Sequence, residues 1–167
     1  MCARYSLVPT ASQVVALIDR AGREPEPRVN VAPATDCLVR SAAGVDRFRW
    51  GLVPPWADDP KVGTKMINAR SETVAEKPSF RAAFRHRRCL VPATSFFEWL
   101  HRDVPASRAD DRRREGQSSL FDDPAEPVTR TVEKQPYAIR RRDGDLLMMA
   151  GLWEEWRGGP DPLRTFT

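Results

Sequence analysis

Short strand-like runs separated by turn signals recur along this chain, and they constrain its fold more than any other feature. Ala43-Gly44 and Asp143-Gly144 each separate two such runs, so we expect a β-hairpin around each dipeptide. A helical pattern occurs only at 10–22, where Gly22 can end the helix, and at 79–86. These patterns predict an α+β fold with a mainly antiparallel sheet or an open barrel and a few short helices.

The composition is that of a single globular domain spanning residues 1–167, with 41% apolar and 30% charged residues. No apolar run approaches the roughly 18 residues of a membrane span, and an apolar signal segment is missing, so we expect a cytoplasmic monomer without a membrane partner. Three distant cysteines do not form a disulfide framework. With two histidines and no Cys-x-x-Cys pair, we expect no metal site and no cofactor.

The basic residues are nearly all arginine, at 23 of 27, and the net charge is +4. The planar guanidinium binds phosphate in a bidentate way, so an acidic polymer such as DNA is a reasonable partner. A GC-rich genome would also favour arginine over lysine, and composition does not separate the two explanations.

Residues 102–133 differ from the rest of the chain. They contain six arginines, eight acidic residues and very few large apolar residues. Such a segment cannot bury enough surface to offset its ordering entropy, so we expect a disordered insertion.

The first residues, Met1-Cys2-Ala3-Arg4-Tyr5, offer unusual chemistry. Removal of Met1 would leave Cys2 with a free amine and a thiol on adjacent carbons. Both groups titrate near neutrality, so both nucleophiles are accessible. Such a pair closes on an aldehyde to give a thiazolidine. The alternative is an incidental cysteine on a frayed terminus.

Four separated motifs together resemble the SOS-response-associated peptidase family, whose members shield abasic sites in single-stranded DNA. The resemblance covers residues 2 to about 156, outside the insertion. It implies a mixed fold with a basic groove, and covalent capture of the ring-opened sugar by Cys2. The motifs are Met1-Cys2-x-Arg4, Asn30-x-Ala32-Pro33, Asn68-Ala69-Arg70-Ser71-Glu72-Thr73 and Phe97-Glu98-Trp99.

The resemblance also implies catalytic roles for Asn68 and Glu98. The Asn68 amide would hold the sugar or the N-terminus, although asparagine is equally common in turns. The Glu98 carboxylate would carry protons during imine formation. Without the resemblance, a solvent-facing glutamate on a strand would explain Glu98.

Five further residues are candidates for contacting DNA. Arg4 and Arg70 resemble phosphate clamps, and Asn30 lies in a shared motif. Trp56 and Trp99 could stack unpaired bases, although most tryptophans are core residues. For both arginines the alternative is an ordinary surface charge.

The chain departs from the family pattern twice. Ala3 replaces a glycine in the opening motif. A late histidine motif, which would assist ring opening and reversal, has no match, since neither His86 nor His101 has the right context. We therefore expect a fragment truncated at the C-terminus, and reversal of the cross-link is in doubt.

Three functions remain open at this stage. The first is an abasic-site cross-linking enzyme with lyase-like activity and self-processing peptidase activity. The second is a cysteine protease or N-terminal nucleophile hydrolase, which would normally need a histidine beside the thiol. The third is a module that binds single-stranded DNA without covalent chemistry.

The insertion carries one more pattern, Gln117-Ser118-Ser119-Leu120-Phe121. It resembles the pentapeptide with which bacterial repair proteins bind the sliding clamp. Leu120 and Phe121 would enter an apolar pocket while the Gln117 amide bonds at its rim. A chance match in a low-complexity loop is the alternative.

Overall fold

The computed structural model describes residues 3–104 and 131–167, with side chains at 102–104 and 131–133 left aside. Two compact units result. The larger contains the described residues up to Phe97 and those from Ala138 onward, and the smaller runs between Glu98 and Tyr137.

The larger unit contains a closed five-stranded barrel in the order β3-β4-β9-β8-β5. Neighbouring strands are antiparallel except β4 and β9, which pair in parallel at Arg49–Thr165 and Trp50–Phe166. The barrel closes between β3 and β5 at Arg40–Leu90. Its strands are β3 (Asp36–Ser41), β4 (Gly44–Trp50), β5 (Arg88–Ala93), β8 (Leu147–Trp156) and β9 (Leu163–Phe166).

A second sheet has the order β2-β1-β6-β7. In the larger unit, β1 pairs antiparallel with β2 and with the first residues of β6. The described part of the smaller unit consists of the rest of β6 and most of β7. The strands are β1 (Tyr5–Leu7), β2 (Arg28–Val31), β6 (Ser95–Val104) and β7 (Thr131–Ile139).

The expected α+β class with mainly antiparallel strands is confirmed, and the barrel is closed rather than open. The helices in the described ranges are short: α1 (Ala11–Leu17), α2 (Arg81–His86) and a 3₁₀ helix (Pro60–Lys65). The first ends five residues before Gly22. Asp19 terminates it, because its carboxylate accepts hydrogen bonds from the backbone N–H groups of Ala21 and Arg23.

The hairpin expected around Ala43-Gly44 is present, with Ser41 opposite Gly44. The one expected around Asp143-Gly144 is wrong. A turn forms there, but it joins β7 in one sheet to β8 in the other. Strands β6 and β7 also extend to Val104 and Thr131, inside the expected insertion. Residues 105–130 lie outside the described ranges, so the insertion stays a prediction.

The core of the larger unit joins its two sheets through aromatic packing. Tyr5 of β1 contacts Trp50 of β4 with ring centroids 5.5 Å apart, and Trp50 stacks on Phe166 of β9 at 6.2 Å. All three side chains are buried. Tyr5 therefore fixes the N-terminal strand against the barrel.

Asp19 is a buried carboxylate that links the end of α1 to the barrel. Its side chain accepts from Arg23 Nε at 2.9 Å and from Arg47 Nε of β4 at 3.0 Å. The hydrogen bond from the Arg23 backbone, followed by those from the Arg47 and Arg23 side chains, outweighs desolvation and lowers the pKa of Asp19 to about 2.

Asp19→Asn should lower the thermal midpoint at pH 7, because the neutral amide cannot replace the charged contacts to two arginines. The folded-state pKa lies below the ordinary value of 3.8, so this stabilisation is present above about pH 4 and lost as the pH falls towards about 2. The variant should therefore show a flatter dependence of the midpoint on pH in that window. Asp58→Asn, at an exposed aspartate, is the control. Parallel pH curves for wild type and Asp19→Asn would contradict this role.

Candidate functional site

Two close contacts position the segment that leads to Asn68. Gly51 and Gly63 approach so closely that a Cβ on Gly51, which has φ +122°, would lie 2.6 Å from the Gly63 carbonyl oxygen. The Trp50 indole N–H donates to the Ile67 carbonyl oxygen at 2.8 Å. Asn68 is therefore held directly after a residue bonded to the core.

Asn68 lies at the boundary of two cavities. The smaller, of about 70 Å³, is lined by Asn68 together with Tyr5, Trp50 and Phe166. The larger, of about 430 Å³, has an apolar wall that includes Phe84 and Leu152. The smaller cavity brings Asn68 beside β1, and Tyr5 is three residues from Cys2.

Arg4 and Asn30 are brought together by the pairing of β1 with β2. The Arg4 guanidinium donates to Asn30 Oδ1 at 3.2 Å. The Asn30 side chain thus helps to orient the guanidinium. The Arg4 carbonyl accepts from the Phe97 N–H at 3.1 Å, which extends the pairing of β1 with β6.

Arg70 and Trp56 are both exposed, and Trp56 retains 62% of its accessible surface. A hydrogen bond fixes the loop that carries Trp56, because the Trp156 indole N–H donates to the Ala57 carbonyl oxygen at 2.7 Å. Pro54, two residues before Trp56, is fully buried. An exposed indole on a fixed loop is suited to contact with a ligand.

The remaining predicted site residues lie in the smaller unit or outside the described ranges. Glu98 is half-buried and Trp99 is 41% exposed, and both belong to the smaller unit. Cys2 and the residues Gln117, Leu120 and Phe121 lie outside the described ranges. Their roles stay predictions.

Cys37 and Cys89 are buried in the barrel, as expected for core thiols. Desolvation raises the pKa of both, that of Cys89 to about 12. Neither thiol is therefore a ready nucleophile at neutral pH.

Sequence reasoning missed the residues that share cavities with the predicted ones. Tyr5 reads as an ordinary strand residue, and its place beside Asn68 depends on the pairing of distant strands. Three consecutive arginines, Arg140-Arg141-Arg142, were a visible signal. Arg140 and Arg141 line a further cavity of the larger unit, and Arg142 follows them in the sequence.

The family model for SOS response associated peptidase (SRAP) matches residues 1–167. The chain belongs to this family.

Curated relatives agree with this membership. The chain is 36% identical over 176 residues to the Bacillus subtilis abasic site processing protein YoqW, covering 100% of this chain and 66% of that protein. It is 31% identical over 163 residues to the Escherichia coli abasic site processing protein YedK, covering 91% and 59%. This family member thus spans about two thirds or less of the length of these relatives.

A solved structure supports the fold. A protein from Bacteroides thetaiotaomicron superimposes with a TM-score of 0.67 at 26% identity, over 99% of this chain and 66% of that one.

None of the helices in the described ranges is long and apolar enough to cross a bilayer. Those ranges also contain no cluster of three or more side chains that could hold a metal ion.

Trp50→Phe should destabilise the larger unit by about 1–3 kcal/mol, because the partly buried Ile67 carbonyl loses its donor. Trp56→Phe, at an exposed indole, should change stability by less than about 0.5 kcal/mol. Urea unfolding of both variants measures the difference. Hydrogen exchange should rise around residues 66–69 in Trp50→Phe only. Equal effects of the two substitutions would show that the indole hydrogen bond does not hold this segment.

Proposed function

We propose that this protein captures abasic sites in single-stranded DNA through its N-terminal Cys2, as part of a DNA damage response. The observation that carries the proposal is the cavity shared by Asn68 and Tyr5, three residues from Cys2. The lining of this cavity contains the candidate catalytic amide and a residue close in sequence to the candidate nucleophile, which supports the proposal. Family membership and the relatives described as abasic site processing proteins support the same reaction.

The chemistry follows from an amine and a thiol on adjacent carbons. The Cys2 amine attacks the aldehyde carbon of the ring-opened sugar, and loss of one water gives an imine. The Cys2 thiolate then adds to the imine carbon, and the nitrogen takes up a proton to give a thiazolidine. No oxidant or cofactor is consumed. Met1 must first be removed, so a self-processing peptidase step or an external aminopeptidase precedes capture.

Asn68 and Glu98 support this reaction in different ways. The Asn68 amide orients the sugar or the N-terminal amine without adding charge. The Glu98 carboxylate carries the proton that leaves the amine and returns to the departing water.

DNA binding rests on separate residues. Arg4, oriented by Asn30, and exposed Arg70 bind phosphates in a basic groove, while Trp56 and Trp99 stack unpaired bases. Such a protein acts at the bacterial nucleoid in the cytoplasm.

Two other functions compete with covalent capture. A cysteine protease would use the Cys2 thiol against peptide bonds, but neither histidine of the sequence is in a context that marks it as the base for that thiol. Cys37 and Cys89 are buried and do not offer a second nucleophile. A non-covalent DNA-binding module would need the arginines and tryptophans but not Cys2.

Cys2→Ala should abolish the adduct that survives denaturing electrophoresis after incubation with an abasic oligonucleotide. A form that retains Met1 should fail in the same way, because its amine is acylated by methionine. Cys37→Ala is the matched control and should retain the adduct, since that thiol is buried. An adduct that persists in Cys2→Ala would place the chemistry elsewhere. Wild-type protein that binds the oligonucleotide without any adduct would favour the non-covalent module.

We also propose that Gln117–Phe121 binds the bacterial sliding clamp and brings the protein to replicating DNA. The proposal rests on the sequence pattern, since these residues lie outside the described ranges. A peptide covering Gly116–Asp123 should bind a bacterial clamp at micromolar concentration in a fluorescence polarisation titration. Leu120→Ala with Phe121→Ala in the same peptide should remove that binding, because both side chains leave the apolar pocket. Equally weak binding by both peptides would contradict the proposal.

A further inference from the structure

A cavity of about 610 Å³ lies on the outer face of the β2-β1-β6 part of the larger unit. Ser6 of β1 faces it, whereas its neighbours Tyr5 and Leu7 face the core. The turn between β7 and β8 also lines the cavity, and the Gln13 amide of α1 donates to the Gly144 carbonyl oxygen of that turn at 3.3 Å. The volume is within the range of small-molecule sites, about 300–1,000 Å³.

The floor of this cavity is polar and rigid. Ser6 Oγ lies 2.8 Å from Thr94 Oγ1 and 2.7 Å from Ser95 Oγ. The Thr94 hydroxyl also donates to the Ser6 carbonyl oxygen at 3.1 Å. The Ser6 hydroxyl therefore hydrogen-bonds both of the other hydroxyls, and these bonds hold the three side chains together.

The walls combine apolar and basic groups. Phe97 supplies an aromatic ring, and Val8 and Val29 are 45% and 70% exposed, an unusual amount for valine. Arg140 lines the cavity and has no ion-pair partner among the described residues. Arg141 is bonded to Asp143, and Asp145 is the one acidic residue of the lining. Arg140 therefore supplies a cation that is not already neutralised.

A β-bulge connects the cavity to the Arg4–Asn30 pair. Tyr5 pairs with Val31 and Leu7 with Arg28, so two residues of β2, Val29 and Asn30, lie opposite Ser6. Val29 lines the cavity, and its neighbour Asn30 holds Arg4. The cavity thus begins next to the proposed phosphate contact.

We infer that this cavity binds one nucleotide of the DNA strand that flanks the abasic site. The Arg140 guanidinium pairs with its phosphate, and Phe97, Val8 and Val29 contact the base and sugar. A cation beside an aromatic surface matches the chemistry of an unpaired nucleotide and suits any base. The inference rests on the proposed function, because it extends the same DNA path beyond Arg4.

Arg140→Ala should weaken binding to an undamaged single-stranded oligonucleotide about three- to tenfold. It should also reduce the slope of log affinity against log salt by about 0.7, the value for one phosphate contact on a single strand. Arg142→Ala, two residues along the same run but outside the cavity lining, is the matched control and should leave the slope unchanged. Equal effects of the two substitutions would mean a diffuse basic surface and overturn the inference.

A second pair of variants tests the cavity itself. Ala138→Glu places a carboxylate in the lining at an exposed position, and Ala43→Glu makes the same charge change in the turn between β3 and β4. Only Ala138→Glu should weaken DNA binding by more than about threefold, with both proteins melting like wild type. A free mononucleotide that binds as tightly as the oligonucleotide would identify a nucleotide pocket and contradict a DNA path.

These measurements are separable from those on the reaction. Affinity for undamaged DNA needs no cross-link, whereas the proposed function is judged by the adduct and its loss in Cys2→Ala. If the adduct forms normally while Arg140→Ala binds like wild type, only the assignment of this cavity to a flanking nucleotide fails. If no adduct forms while Arg140→Ala binds weakly, only the covalent mechanism fails.

Discussion

The Trp50 indole is the contact on which the arrangement around Asn68 depends. Its ring lies between Tyr5 of β1 and Phe166 of β9, and its N–H bonds the Ile67 carbonyl. One side chain therefore holds the N-terminal strand, the barrel and the residue before Asn68. Because protein cores are closely packed, a shift of this ring would displace all three together.

Local patterns in the sequence predicted the fold class and most strands, but not how the strands pair. Alternating apolar residues predict a β-strand, but they do not predict which other strand it pairs with. Asp143-Gly144 therefore marked a real turn, yet β7 and β8 enter different sheets. The parallel pairing of β4 with β9 joins residues more than a hundred positions apart within the barrel. The end of α1 was also misplaced, because the buried Asp19 carboxylate, rather than Gly22, stops the helix.

Site residues that belong to a motif could be predicted from the sequence. Residues that come close to the site only through folding could not. Arg4 and Asn30 were proposed from separate motifs, and the structure joins them by a hydrogen bond. Tyr5 carried no functional signal, since its position beside Asn68 arises from the packing of β1 on the barrel. Arg140 was visible in a run of arginines, but its place in one cavity with Phe97 arises only in the folded chain.

Mass spectrometry of the protease-digested DNA adduct tests covalent capture most directly. The account predicts one cross-linked peptide that begins at Cys2, with the mass of peptide plus abasic DNA less one water, and formed without borohydride. The competing nucleophiles are the four lysines, Lys61, Lys65, Lys77 and Lys134, which would give an imine that needs borohydride to survive. A cross-link mapped to any of these lysines, or to a peptide that still carries Met1, would contradict the account.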